Sequence, residues 1–450
     1  MRVMGTAFGR RVGLGSLALL AVALASAPAR AEVSAETAFV FNTFSFLVHG
    51  FLVMWMAAGF AMLEAGLVRA KNTAEILTKN LALFAIASLL YLLLGYGLMY
   101  PAGGNGLLPA FEGFALLGDD LDPRASLPAP GEGGHARLAD FFFQVVFAAT
   151  AMSIVSGAVA ERMRLWPFLL FCLVMTGVIY PIQGYWSWGG GFLDERGFKD
   201  FAGSGVVHLA GASAALAGVL LLGPRRGKYG KDGAIHAIPG ANLPLATLGT
   251  FILWLGWFGF SGGSALKIAG VAEANAVAAV FVNTNLAAAS GLLAALIVGR
   301  LLFGKADLTL ILNGALAGLV AITAEPLTPA PLAASLIGAL GGPLVVFAII
   351  SLDQLRLDDP VGAISVHGLV GIWGLLAVPL TNAAASLSAQ LLGIVTILAW
   401  VFLSSLLLWS LLRATLGLRV GEAEEWEGVD AREGGLRAYP EFGGAKGAGR

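Results

Sequence analysis

Two histidines lie inside long apolar stretches of this chain. His208 occurs in DFAGSGVVHLAGASAALAG, which begins at Asp200 and is followed by no charged residue until Arg225. His367 occurs in ISVHGLVGIWG. An imidazole can donate and accept hydrogen bonds and can carry a proton near neutral pH. Ionisable groups are costly to keep in a membrane and by default mark a function there. We therefore take both as candidate functional residues; the alternative is that each bonds a helix carbonyl.

Membrane helices are the elements that must hold these two side chains. The chain has 450 residues, of which 58% are hydrophobic and 12% charged, and its mean hydropathy is +0.82. A soluble protein of this size could not bury so much apolar surface. The formal net charge of −1 gives no reason to expect a nucleic-acid partner. The single cysteine, Cys172, excludes a disulfide framework and a thiolate metal cluster.

The first residues have the pattern of a signal peptide. A basic start with Arg2, Arg10 and Arg11 precedes an apolar stretch, and Ala29-Arg30-Ala31 resembles a cleavage site. We expect residues 1–31 to be removed, and we expect a bacterial inner-membrane protein. The alternative is an uncleaved first span.

Eleven apolar segments follow, each of about the 20 residues that a helix needs to cross a membrane. They cover residues 39–67, 80–101, 139–160, 165–184, 201–223, 243–263, 274–299, 307–324, 331–351, 361–380 and 386–412. The sequence therefore predicts an all-α membrane protein with eleven transmembrane helices in residues 32–414, followed by a tail of residues 415–450.

The distribution of Lys and Arg predicts the orientation, because cytoplasmic loops are enriched in both. With the mature N-terminus outside, the inner loops hold Arg69, Lys71, Lys79, Arg162, Arg164, Arg225, Arg226, Lys228, Lys231, Arg300, Lys305 and Arg356. The outer loops hold Arg124, Arg137, Arg196, Lys199 and Lys267. We therefore expect the N-terminus outside and the tail in the cytoplasm.

Division of the spans into five, five and one predicts two inverted five-helix repeats, since an odd number of spans reverses the second half. His208 then lies about seven residues from the outer face and His367 about six from the inner face, each roughly 10 Å deep at 1.5 Å per residue. The core is about 30 Å thick, so the imidazoles can meet near its middle.

Further polar and aromatic residues surround the predicted ends of these spans. Asp200 could cap the fifth helix or bind a cation, and we favour the cap. A tryptophan face attracts a cation, and a hydroxyl accepts its N–H bonds. Candidates of this kind are Trp188 in WSWGGGF, Trp257, Phe260 and Ser264 in LGWFGFSGGSA, and Phe143 and Phe147 in FFFQVVF. The alternative for the aromatic residues is an interfacial belt.

Several long motifs resemble the ammonium transporter family, the Amt, Mep and Rh proteins. They are GFAMLEAGLVRAKNT, FFQVVFAATAMSIVSGAVAERMR, DFAGSGVVHLAG, LGWFGFSGGSA and DDPVGAISVHGLVGIWG, in that order along residues 38–440. The resemblance implies eleven spans, an outside N-terminus, a homotrimer and one pore in each subunit. It also implies a PII-type signalling protein as a cytoplasmic partner, although the basic inner loops could simply be topological anchors.

The same resemblance implies a role for each candidate. Trp188 and Ser264 resemble an external ammonium recruitment site flanked by Phe143 and Phe147. Phe147 and Phe260 resemble a stacked phenyl gate, and His208 and His367 resemble twin pore histidines. Asp200 resembles the aspartate beneath the outer site, and Trp257 would line the pore.

Two positions depart from the family pattern. Glu64 stands where other branches carry uncharged or aromatic residues, and we expect it to have a local structural role. In the tail segment EWEGVDAREGGLRAYPEF, Gly434 stands where histidine is usual, which bears on regulation and not on transport.

The predicted function is ammonium uptake, with methylammonium as an analogue and with no enzymatic activity, metal or other cofactor. Dehydrating a cation in an apolar pore is very costly, and ammonium escapes that cost by losing a proton whereas potassium does not. Ammonia would pass the histidines, and we favour net transfer of the charge as well. The alternatives are a neutral ammonia or methylamine channel, a membrane ammonium sensor acting through a partner, and a bis-histidine haem subunit.

Overall fold

The computed structural model describes residues 33–111 and 134–442. The predicted signal peptide, residues 1–31, lies outside the described residues, as do residues 443–450 of the tail. The division into domains at residues 31 and 414 stays a prediction.

Within the described residues, ten helices are long and apolar enough to cross a membrane. They are α1 (Ala35–Leu67), α2 (Ala70–Met99), α3 (Arg137–Ala158), α4 (Leu165–Glu195), α5 (Ser204–Leu222), α6 (Leu243–Gly263), α7 (Val271–Phe303), α9 (Pro331–Gln354), α10 (Ile364–Thr381) and α11 (Leu387–Thr415). The apolar helix α8 (Leu308–Thr323) is shorter. Short helices at Glu422–Glu427, Asp430–Gly434 and Pro440–Phe442 form the tail. Each apolar segment predicted from the sequence thus falls on a helix.

The start of α2 differs from the prediction, which placed it at residue 80 with Lys79 in an inner loop. The helix begins at Ala70, and Lys79 lies inside it, fully buried. Its ammonium group is 3.2 Å from the Glu75 carboxylate and 5.2 Å from the centre of the Phe168 ring. The helix accommodates this charge because the i,i+4 partner is on the same face.

Small residues let the helices approach closely. An added Cβ on Gly318 of α8 would collide with the carbonyl oxygen of Ala287 on α7, and an added Cβ on Gly249 of α6 would collide with the backbone of Leu63 on α1. Helices in lipid gain van der Waals contact by such approach, because lipid tails are as apolar as the side chains. The glycine-rich composition therefore serves packing around the bundle core.

Charged residues are concentrated at the end of the bundle that the sequence predicts to be cytoplasmic. Arg225 makes a two-pronged contact with Asp358, with nitrogen–oxygen distances of 2.9 and 3.0 Å, and lies 3.4 Å from Glu161. Arg69 bonds the same Glu161 carboxylate. Burial alone would raise the pKa of Asp358, but Arg162 and Arg225 hold it well below its usual value. The network joins the α1–α2, α3–α4, α5–α6 and α9–α10 connections.

The tail packs against this same end. The carboxylate of Asp430 accepts hydrogen bonds from the N–H groups of Ala74 and Glu75 in the first turns of α2, at 2.9 and 2.8 Å. Lys71 donates to the carbonyl oxygen of Trp426. Gly434 has open space where a side chain would begin, so nothing in the described residues takes the place of the usual histidine.

Replacement of Gly318 by alanine should destabilise the protein by about 1–3 kcal/mol, the usual range for overpacking, because the added methyl group has no space against Ala287. Thermal unfolding of the detergent-purified protein would measure the loss. Gly299→Ala is the matched control on α7, since its Cβ would meet only Leu310 Cδ1 at 3.3 Å. Equal stability of the two variants would contradict the packing argument.

Candidate functional site

The structure brings His208 and His367 together. Their ring centroids are 5.0 Å apart and the rings are inclined by 19°, so they stack. Both residues are buried, with His208 fully inaccessible. Three ring nitrogens have no hydrogen-bond partner among the described residues: His208 Nδ1, His208 Nε2 and His367 Nδ1. The helix-carbonyl bond that we considered as an alternative is therefore not seen at these three atoms.

The local backbone is the same around both histidines. Each lies in a π-helical first turn, Ser204–Leu209 of α5 and Ile364–Leu369 of α10. Gly203 and Gly362 precede these turns with φ angles of +111° and +80°, a region that favours glycine. An added Cβ on Gly362 would also approach Asn313 Oδ1 to 2.6 Å. A glycine is thus needed where the chain turns into each helix.

Asp200 caps the first turn of α5. One carboxylate oxygen accepts from the N–H of Gly203 at 3.2 Å, and the other accepts from Gly205 and Val206 at 2.9 and 2.8 Å. These bonds satisfy amides that have no partner within the helix. These are the bonds of a helix cap, which is one of the two roles that the sequence left open for Asp200.

Asp359 has the corresponding position before α10, and our sequence analysis missed it. Its carboxylate accepts from the Ser365 N–H at 3.1 Å and from the Ser365 hydroxyl at 3.3 Å. The signal was present, because Asp200 and Asp359 both begin the pattern D-x-x-G-x-x-x-V-H, which ends at His208 and at His367. Burial raises the pKa of Asp200 and of Asp359 to about 6. Each carboxyl can therefore change its charge under mildly acidic conditions.

Aromatic rings extend from His208 toward the predicted outer face. The ring of Phe260 lies 5.4 Å from that of His208, and Phe260 stacks on Phe147 at 4.0 Å with an angle of 19°. Trp188 continues this series of rings, with its ring centroid 6.0 Å from that of Phe147 in an edge-to-face contact. Phe147 and Phe260 are almost completely buried. A polar species that moves along this line must displace the stacked phenyl rings.

Trp257 forms one side of the histidine site. Its ring lies 5.0 Å from His208 at an angle of 19°, and its indole N–H donates to the Thr323 hydroxyl at 2.8 Å. That hydroxyl donates in turn to the carbonyl oxygen of Leu319. The indole N–H is therefore satisfied away from His208, which leaves an apolar ring face toward the imidazole.

An outer cavity of about 320 Å³ opens beside Trp188 and Asp200. Asp194 and Glu325 add carboxyl groups to its lining, and Lys199 adds one ammonium group. The indole N–H of Trp188 donates to the Asp200 carbonyl oxygen at 2.8 Å, which fixes the tryptophan ring at the edge of the cavity. The excess of carboxyl groups favours cations. Sequence reasoning did not single out Glu325.

Phe143 and Ser264 also lie on this outer side. Phe143 packs against Phe147 with ring centroids 4.7 Å apart, and it closes the space beside Gly263, one residue before Ser264. The Ser264 hydroxyl donates to the Phe260 carbonyl oxygen at 2.9 Å, so its lone pairs stay free to accept another bond.

The remaining histidines take local roles. His49 contacts the Ser45 carbonyl oxygen at 2.9 Å, His135 stacks on Phe46 at 4.1 Å, and His236 contacts the Gly227 carbonyl oxygen at 2.9 Å. None joins the stacked pair. With Phe260 and Trp257 against His208 and only 5.0 Å between the two imidazoles, the pair leaves no gap for a planar haem.

The chain is similar to known proteins over most of its length. The model of the Ammonium Transporter Family matches residues 44–439. The ammonium transporter Amt2 of Archaeoglobus fulgidus is 42% identical over 426 residues, which are 88% of this chain and 87% of that protein. A putative ammonium transporter of Synechocystis is 43% identical, over 93% of this chain and 94% of that protein.

Two solved structures have the same fold. A structure described as a sensor Amt protein superposes with a TM-score of 0.80 at 36% identity, over 87% of this chain and 98% of that chain. Mep2 of Candida albicans superposes with a TM-score of 0.76 at 28% identity, over 85% and 87%.

Asp200→Ala should destabilise the protein by about 1–3 kcal/mol, because it leaves buried N–H groups at the start of α5 without acceptors. Asp200→Asn keeps one acceptor oxygen and should lose less. Thermal unfolding in detergent at neutral pH measures the order of stability of the wild type and the two variants. An alanine variant as stable as the wild type would rule out the capping role.

Proposed function

The chain belongs to the ammonium transporter family, and from this premise we propose that it takes up ammonium across the bacterial inner membrane through a pore that ammonia crosses without its extra proton. The continuous line from Trp188 through Phe147 and Phe260 to His208 and His367 carries this proposal. It connects a cation-attracting cavity to two buried imidazoles with unpartnered nitrogens.

Recruitment takes place at the outer cavity. The carboxyl groups of Asp194, Asp200 and Glu325 raise the local concentration of cations. Ammonium then lies against the Trp188 ring and donates to the Ser264 hydroxyl, with Phe143 and Phe147 flanking it. The fixed orientation of Trp188 supports this role, because a ring that is already held loses little freedom on binding.

Selectivity arises at the phenyl gate. Removal of water from an ion in an apolar passage is very costly, and the stacked Phe147 and Phe260 offer no hydrogen bonds in return. Ammonium that gives up a proton passes as neutral ammonia, whereas potassium has no proton to give up.

The two imidazoles carry the species through the centre. A neutral imidazole donates from one nitrogen and accepts at the other, so each can bond ammonia or hand a proton to its neighbour. The 5.0 Å stacking distance supports a relay between them. We propose that the proton follows along the pair, which makes the transport net transfer of ammonium and therefore electrogenic.

We also propose that the chain has eleven spans in two inverted repeats. The N-terminus then lies outside and the tail lies in the cytoplasm. The tail contacts the start of α2, so an even number of crossings must separate the two. The helices α2 to α11 supply that even number only if the short α8 also crosses. The repeated D-x-x-G-x-x-x-V-H pattern before α5 and α10 supports the inverted halves.

The homotrimer and the PII-type partner stay predictions. Several of the basic residues that the sequence offers to a partner already have acidic contacts: Arg226 with Glu422, and Lys228 with Asp353 at 2.9 Å. A partner must therefore bind over this charged surface or exchange its ion pairs.

An ammonium sensor is the second candidate, because one similar structure is described as a sensor Amt protein and because the tail is bound to the start of α2. Substrate occupancy could change that contact without net transport. Uptake by the purified protein in liposomes separates the two functions, since a sensor alone gives none. A neutral ammonia or methylamine channel would give uptake without current.

Replacement of His208 by alanine should lower ammonium uptake roughly tenfold or more, or admit potassium, because it removes a proton-accepting group from the relay. Uptake of labelled methylammonium and currents on a solid-supported membrane, each with and without potassium, measure both effects. His236→Ala, in an exposed loop, is the control. Wild-type uptake and selectivity in the His208 variant would end the central role of this histidine, and uptake without current in the wild type would end the electrogenic mechanism.

Trp188→Leu should raise the half-saturating ammonium concentration about 3- to 30-fold with little change in the maximal rate, because it removes a cation–π contact. Initial uptake rates over a range of ammonium concentrations measure both quantities. Trp166→Leu, at an exposed tryptophan near the start of α4, should change neither. An unaltered half-saturating concentration in the Trp188 variant would refute recruitment at this residue.

A further inference from the structure

Glu64 is a buried carboxyl group that the transport path above does not use. It lies on α1 and is only 1% exposed. Its Oε2 atom accepts hydrogen bonds from the Asn80 amide at 3.0 Å and the Ser156 hydroxyl at 2.8 Å. Its Oε1 atom has no partner among the described residues. A local structural role accounts for the first oxygen but not for the second, because an unbonded buried oxygen is costly.

Glu64 lines a small cavity that His367 also lines. The cavity has a volume of about 10 Å³, and Phe60, Ser153, Asn313 and Val361 complete much of its lining. This is close to the minimum space for one water-sized molecule. Ammonia and ammonium are of similar size to water. The cavity that Glu64 and His367 both line therefore has room for no more than one molecule of this size.

The position of Glu64 is on the inner side of the histidine pair. Phe60 lies 6.2 Å from the His367 ring, and Glu64 follows Phe60 by one helical turn toward the end of α1 at Leu67. The tail and the charged network occupy that same end of the bundle. A species that leaves His367 for the cytoplasm thus meets Glu64 next.

The surrounding charges leave Glu64 without a counter-ion. Lys79 and Glu75 on α2 are its charged neighbours, and Lys79 pairs with Glu75 at 3.2 Å. His367 on α10 shares the cavity, while α3 and α8 contribute the uncharged Ser153, Ser156 and Asn313. No ion pair among the described residues includes Glu64, so a cation in the cavity would supply the direct counter-ion that Lys79, already paired with Glu75, does not.

We propose that Glu64 is the inner proton-exchange group of the pore, which returns a proton to ammonia and then holds the resulting ammonium before release. The inference rests on the proposed function, in which the proton follows along the histidines. Glu64 would then hold ammonium at the cytoplasmic end of the pore, as the recruitment site does at the outer end.

The proton balance closes with the groups already present. The proton that ammonium loses outside passes along His208 and His367 to the Glu64 carboxylate, where it forms an O–H bond. Ammonia enters the cavity and takes this proton, so the O–H bond breaks and a fourth N–H bond forms. The carboxylate and the ammonium then form an ion pair, which separates when ammonium enters the cytoplasm. Glu64 is left ionised for the next cycle.

Glu64→Gln tests the proposal, because the amide has nearly the same shape and can still accept bonds from Asn80 and Ser156, but cannot carry the proton. In liposomes, we expect the maximal ammonium current per folded protein to fall about tenfold or more, with the half-saturating external concentration unchanged. Ser156→Ala is the matched control: it removes one bond to Glu64 but keeps the carboxyl group, so its current should stay well above that of the Gln variant because the proton carrier remains.

Infrared difference spectra provide a second measurement that does not depend on transport. Addition of ammonium to the wild-type protein should change a carboxyl band that Glu64→Gln lacks. A Gln variant with the wild-type current per folded protein, or with lower thermal stability but an unchanged current, would overturn the proposal and leave Glu64 a structural residue. Absence of both uptake and current in the wild type would instead overturn the proposed function, and this inference with it.

Discussion

The free energy needed to dehydrate a cation inside a membrane is the constraint on which this structure depends. A bare ion in an apolar passage loses several kcal/mol or more that only water or matched polar groups can replace. The path through this bundle offers few such groups, because two stacked phenyl rings and an indole face lie along it beside the two imidazoles. Such a lining offers nothing to replace the water of an ion that keeps its charge, which fits the proposed passage of a substrate that can leave a proton behind.

Two imidazoles lie on that apolar path, and in the described part of the chain His208 Nδ1 and Nε2 and His367 Nδ1 have no hydrogen-bond partner. Each histidine lies in a π-helical turn that begins at a glycine of positive φ and follows an aspartate that bonds to the first turn. The aspartates satisfy the backbone at these turns. The imidazole nitrogens take no part in this capping, so their hydrogen-bonding capacity stays available for the proposed substrate.

The charged inner end of the bundle has a different physical character. Arg225, Asp358 and Glu161 form a buried ion-pair network, which the partly exposed Arg69 joins. The network connects segments far apart in the sequence, and the tail binds the start of α2 beside it. Buried charges of this kind are stable only when each is paired. Glu64 lies near the end of α1 that is closest to this network, and no ion pair among the described residues includes it. Its unbonded Oε1 atom therefore points to a function.

The sequence by itself determined the helices and their order, and it singled out the two histidines that the proposed pore uses. Long apolar runs can satisfy their backbone in lipid only as helices, so the spans followed from composition, and the family motifs named Trp188, Phe147, Phe260 and Ser264. Only the tertiary structure decided the 5.0 Å stacking of His208 on His367, the burial of Lys79 within α2, and the small cavity that Glu64 shares with His367. These features depend on side chains from helices distant in sequence, and no periodicity within one helix encodes which neighbours it meets.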